Sequence, residues 1–342
     1  MEPITHALTS LALARAARTR LPRFGIAMLV TSGVAADLDF VSYLGGPSAF
    51  LRYHHAVLHS ILGSVLMCCA IAAIFCAVDR TGVKKDTDPA AVRLSFLAAL
   101  CVCAAGAGAH VLLDVASGIG VRLWWPFRGD WQSWDLLRDL DVWILIMLGA
   151  GLLLPHLVRM IGEEIGERQR GAPGGRAAIV ILILIVFYIG ARGILYSRAT
   201  QLLGSRDYHG QAPQKTGAFP ASSNPLVWRG LVSTAGAIFE TNISLLPGAT
   251  FDPERAISHY KPEESAAIAA AQKTDEAQLF LTYARFPLAM VEPQDPGYDV
   301  TMRDLRFPAS DDSLDDIVTD VQLDANLQVT EQRIRYAKSS PR

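Results

Sequence analysis

Charge is scarce in this chain. Only 19% of its 342 residues are charged, and the formal net charge is −2. No basic excess exists to meet a phosphate backbone, so no nucleic-acid partner is expected. Cysteine is equally sparse. Cys68, Cys69, Cys76, Cys101 and Cys103 all fall in apolar runs, where they read as small buried hydrophobes rather than as a disulfide framework or a thiolate metal site. Internal repeats and low-complexity tracts are absent. The first ten residues lack the basic, then apolar, then small-residue layout of a cleaved signal, so His6 is expected to stay in the mature chain.

What is abundant is apolar sequence. Hydrophobic residues make up 51% of the chain, the mean hydropathy is +0.27, and most of that hydrophobicity lies before residue 200. The length allows about two domains: a polytopic all-α membrane domain over residues 1–196 and a small soluble α+β domain over 197–342. About six helices are expected in the first. Residues 3–17 form a short helix with Pro3 in its first turn, and residues 24–36 form a second, the two making a hairpin. Residues 56–78, 95–116, 142–161 and 177–196 are each long enough to cross a hydrocarbon core of about 30 Å. In the second domain, residues 204–225 read as an irregular linker and 263–283 as a helix. Residues 298–307 and 317–336 alternate apolar with polar, as antiparallel strands with one wet face do.

Basic residues sort the loops. The hairpin turn and the loops at 79–94 and 159–176 together hold twelve Lys and Arg. The loop at 118–140 carries Trp124, Trp125, Trp131 and Trp134 instead. The positive-inside bias puts the basic loops in the cytoplasm and the tryptophans at the opposite interface, which in a bacterial inner membrane is the extracytoplasmic face, together with the second domain.

Five patches of metal-type donors lie on that same face: His6; Asp37 with Asp39; His54, His55 and His59; His110 with Asp114; and Asp139 with Asp141. His55 and His59, like His110 and Asp114, are four residues apart and share a helix face. Imidazole and carboxylate together suit zinc or another divalent transition metal. Each patch also has a plainer reading. Asp37 and Asp39 suit a helix-ending turn, His110 and Asp114 an interhelical hydrogen bond, and Asp139 and Asp141 the start of the next helix. Their convergence on one face favours a shared site, since ionisable groups beside membrane segments are costly and usually functional.

The stretches M-E-P-I-T-H-A-L-T-S, A-D-L-D, H-H-A-V-L-H-S and H-V-L-L-D resemble the YdjM-type family of membrane-bound, predicted metal-dependent hydrolases. That family's pattern runs T-H, P-D-x-D, H-R-x-x-T-H-S and H-x-x-x-D. N-P-L-V-W-R, Y-A-R-F-P and M-R-D-L-R-F resemble the soluble tail of many members, so the resemblance covers nearly the whole chain. Two departures stand out: Ala36 replaces the usual Pro, and His55 stands where Arg is typical, which favours His54 and His59 as the ligands of that patch. In order and spacing the donors are also distantly similar to the zinc-dependent phospholipase C and single-strand nuclease family, although its later His-rich segment has no match here.

The resemblance implies a metal-dependent hydrolase acting on a phosphoester of a lipid-like substrate. The expected ligands are His6, Asp37, Asp39, His54, His59, His110 and Asp114, holding one or two zinc ions, with manganese as the alternative. Either Asp37 or Asp39 would serve as the base that orients or deprotonates water. Asp141 would support a ligand histidine, His55 would take an outer place, and Arg122 and Arg128 would hold a phosphate. Two other readings use the same residues: a membrane metal-binding or transport protein, and a membrane anchor whose second domain binds a partner.

Overall fold

The computed structural model describes residues 1–82, 93–164, 174–307 and 316–337. Much of the basic loops, and the expected strand-connecting residues 308–315, therefore lie outside the described residues. Contacts divide the chain into two compact units. The first comprises Met1–Asp39, His55–Arg128 and Gln132–Arg192; the second comprises Phe40–His54, Gly129–Trp131 and Gly193–Arg342. The expected boundary at residue 196 thus falls within a helix, and the second unit also takes in two earlier segments.

The helices of the first unit follow the apolar runs. They are α1 (Pro3–Ala16), α2 (Gly25–Val34), α4 (Ile61–Gly82), α5 (Phe96–Ala116), α6 (Val142–Glu164) and the first part of α7 (Gly175–Gly204). A tight 3₁₀ segment, Ala35–Gly45, continues α2, and the short helix α3 (Pro47–Tyr53) follows it. Among the described residues, five stretches are long and apolar enough to cross a membrane: Gly25–Gly45, Ile61–Thr81, Phe96–Ala116, Val142–Ile161 and Gly175–Gly204. The first helix is not among them; its 14 residues reach only about 21 Å at 1.5 Å per residue.

This unit is apolar outside, and its interior holds both a polar cluster and an apolar core. Leu66, Leu153, Val186 and Phe187 are exposed, as side chains facing lipid should be. α1 instead buries Thr5, His6, Thr9 and Ser10 while Ile4 is exposed. An apolar core of Met28, Ile71, Ala72, Ala99 and Cys103 joins α2, α4 and α5. Glycine sets the α2–α5 distance: a Cβ on Gly106 would meet the Leu29 carbonyl oxygen at 2.5 Å and Ser32 Oγ at 2.4 Å.

The second unit holds two four-stranded antiparallel meanders. One is β1 (Lys215–Pro220), β2 (Val227–Ser233), β3 (Ala237–Ser244) and β4 (Ile257–Tyr260). The other is β5 (Pro287–Gln294), β6 (Gly297–Asp304), β7 (Ile317–Leu323) and β8 (Val329–Tyr336), with α8 (Ala266–Ala271) and α9 (Asp275–Tyr283) packed against it. The expected single helix at 263–283 is two, because Ser265 and Thr274 each accept a backbone N–H and start a helix of their own. The first sheet is new relative to the sequence reading. Five consecutive residues of β2, from Trp228 to Val232, are buried, so the alternation that marks a half-wet strand is missing, and β1 occupies part of the expected linker.

Candidate metal centre

Six of the expected donors converge inside the first unit. His6, His59 and His110 surround Asp114: His6 Nε2 is 3.2 Å from its Oδ1, while His59 Nε2 and His110 Nε2 are 3.3 and 3.0 Å from Oδ2. Asp37 Oδ1 lies 3.8 Å from His110 Nε2. The side chains of His6, His59, His110 and Asp114 are fully shielded from solvent, and the Met1 α-amino group ion-pairs with Asp114. Two triads have donor atoms close enough together to hold a cation, His6/Asp37/His110 and His55/His59/Asp114.

The elements explain this placement. The i, i+4 spacing puts His110 and Asp114 on one face of α5, in its last two turns. The 3₁₀ segment turns Asp37 and Asp39 inward after α2. The turn before α4 delivers His59, and α1 brings His6, whose ring stacks on His110 with centroids 3.7 Å apart.

Hydrogen bonds fix which nitrogen each histidine offers. A carbonyl can only accept, so His110 Nδ1–H donates to the Gly33 oxygen (2.8 Å) and His55 Nδ1–H to the Gly120 oxygen (2.8 Å). His59 Nδ1–H donates to Asp39 Oδ2 at 2.9 Å. In each ring Nε2 is then the basic nitrogen. The Nε2 atoms of His59 and His110 face each other at 3.0 Å, so two lone pairs repel unless a proton or a cation lies between them. Among the described residues, the buried Oδ2 of Asp37 and both His6 nitrogens find no hydrogen-bond partner. A preformed ligand set with its rings held from behind has these features, and the residues fit a divalent cation.

Protonation differs among the donors outside the spans. Burial lowers the pKa of His6, which keeps it neutral despite Asp114. Burial also opposes charge on His59, but Asp114 and Asp39 outweigh it and push the imidazolium up to about 9, so without a metal its Nε2 carries the proton that a bound cation would replace.

The two aspartates have separate duties. Asp39 Oδ2 accepts both the His59 ring N–H and the His55 backbone N–H (2.9 Å each), so it aims two histidines rather than waiting for water. Asp39→Asn should weaken metal binding about 10–100-fold, as loss of such a partner typically does; competition titration against a fluorescent chelator would measure it, and unchanged affinity would refute the positioning role.

Three expected placements are corrected. His54, favoured over His55, lies outside both triads; it stacks on Phe50 with ring centroids 4.3 Å apart in the second unit. His55 enters a triad because its backbone takes a left-handed φ of 54° that swings the ring toward Gly120. Asp141 does not meet a histidine of the cluster through its hydrogen bonds. It caps α6 through the Trp143 and Ile144 N–H groups and accepts from the Tyr188 hydroxyl at 3.1 Å. Arg122 is buried and its backbone N–H donates to the His55 carbonyl oxygen at 2.9 Å, whereas Arg128 is exposed. Gly33 and Gly120 escaped the sequence reading because they act through backbone oxygens, which no side-chain motif signals. Gly120 does carry a constraint, with φ of 84° and a Cβ position only 2.6 Å from the Gln132 carbonyl oxygen.

The family model described as YdjM inner membrane protein matches residues 1–199, and that of the YfhP C-terminal alpha/beta plait domain matches residues 266–340. No curated protein and no solved structure matches the chain. The distant likeness to the zinc phospholipase C family gains no support from these matches.

Proposed function

Because this chain belongs to the YdjM inner membrane protein family and is an integral inner membrane protein, we propose that its buried His/Asp cluster makes it a metal-dependent hydrolase of a lipid-like phosphoester. The observation that carries this reading is the pair of Nε2 atoms 3.0 Å apart, both Nδ1 sides engaged, beside the fully buried Asp114 carboxylate. His6, Asp37 and His110 would hold one divalent ion and His55, His59 and Asp114 a second; zinc fits the nitrogen-rich set best. When bound, such an ion supplies Lewis acidity, polarising an ester oxygen and acidifying water.

The chain's own groups do the rest. Asp37 keeps a buried carboxylate oxygen without a partner and is placed to accept a proton from water. Asp39 and the Gly33 and Gly120 carbonyls hold the rings in register. Burial excludes bulk water and strengthens each electrostatic contact. The basic hairpin turn and loops favour the cytoplasmic side for themselves and the extracytoplasmic side for the cluster. Transport sites tend to lie near the bilayer midplane on broken helices; here the donors come from helix ends and turns, which supports hydrolysis over translocation.

Chelation tests the reading. Detergent-purified protein should release phosphate from alkyl phosphates, lose that activity on treatment with a chelator, and regain it on addition of zinc or manganese. Activity that survives complete metal removal would overturn the proposal.

A further inference from the structure

An apolar groove opens beside the cluster between α4 and α5, with a volume of about 360 Å³. Val65 and Cys68 line it from α4, Leu100, Ala104 and Val111 from α5, and His59, just before α4, also lines it. Both walls belong to membrane-crossing helices, so what borders its mouth is hydrocarbon. Small residues keep it open: a Cβ on Gly108 would meet nothing within 4 Å. The α5 wall from Leu100 to Val111 runs about 16 Å at 1.5 Å per residue, close to half of a hydrocarbon core of about 30 Å. The groove is therefore as long as one leaflet is deep, and its polar end is a histidine of the candidate metal centre.

The geometry points to this groove as the seat of a single hydrocarbon chain of a membrane lipid, its phosphoester linkage lying against His59 and the neighbouring carboxylates. For the chemistry at the polar end, this rests on the hydrolase reading above. A lipid chain fits better than a partner helix, because about 360 Å³ is too little for a helix about 10–12 Å across. The substrate class narrows accordingly to phosphoesters carrying a long saturated or prenyl tail, entering sideways from the bilayer.

The test uses dodecyl phosphate with a photoreactive diazirine at the far end of its chain, applied to the detergent-solubilised full chain and mapped by peptide mass spectrometry. Label is expected on the segments 61–68 and 100–111. Ala104→Phe, a change at an exposed position that fills the groove, should reduce that labelling about tenfold. Ala105→Phe, also exposed but outside the lining, should leave it unchanged, and zinc content should be the same in both. Label spread evenly over all the apolar helices, or undiminished in Ala104→Phe, would overturn the inference by showing a lipid surface without a seat. Groove-specific labelling in protein that binds no metal would support the seat while sinking the hydrolase reading, so the two failures are distinguishable.

Discussion

Replacing Asp114 by alanine is expected to empty the cluster of metal and abolish the proposed hydrolysis. This carboxylate lies within 3.3 Å of three imidazoles and pairs with the Met1 amine, all buried. Removing it withdraws the negative charge shared by both triads and leaves cationic groups uncompensated, a loss that typically costs about 3–5 kcal/mol for a buried pair. The fold should therefore weaken as well. Asp114→Asn separates the two effects: it keeps the shape and restores part of the stability, but its neutral amide is a poor ligand. Elemental analysis of purified protein, beside thermal unfolding, would read both. Wild-type metal content in either variant would remove Asp114 from the site.

The second large effect is expected at a residue that offers no ligand atom, one turn before His110 on α5. Gly106→Val would drive a branched side chain into the Leu29 carbonyl and Ser32, where even a Cβ has only 2.5 and 2.4 Å. Backbone cannot rotate away as a side-chain tip can, so α2 and α5 must separate. Overpacking of this kind typically costs about 1–3 kcal/mol. Gly33, whose oxygen orients His110 (2.8 Å), sits on the displaced helix, so metal should be lost along with stability. The same helix supplies the contrast: Gly108→Ala meets open space and should stabilise by about 0.5–1 kcal/mol, as Ala in place of a mid-helix Gly does. Thermal unfolding and metal content of the two variants would check this pair. Equal behaviour would mean that the close approach of α2 and α5 does not organise the cluster.

The sequence announced most of the donors through spacing. H-x-x-x-D must put His110 and Asp114 on one helical face, because the α-helical period leaves no choice. It could not say which of two adjacent histidines turns inward. His55 enters a triad through a left-handed backbone and a bond to Gly120, which depends on where the 118–140 loop folds back, while His54 lies on Phe50. Likewise Asp37 and Asp39 look equivalent in A-D-L-D, and only the His59 ring that meets Asp39 distinguishes them. The first sheet was hidden because β2 is buried along its length, which erases the two-residue period.

By itself, then, the sequence determined that this protein lives in a membrane, since runs of about 20 apolar residues have no cheaper place to go, and that one end of its helices collects imidazole and carboxylate. Tertiary structure alone decided how those groups divide: which could hold a cation, which aim those rings, and which merely cap a helix, as Asp141 does for α6. The reason is that ligand geometry is set by through-space contacts to backbone oxygens at Gly33 and Gly120. Their positions follow from helix packing and loop closure, not from the identity of any neighbour in the chain.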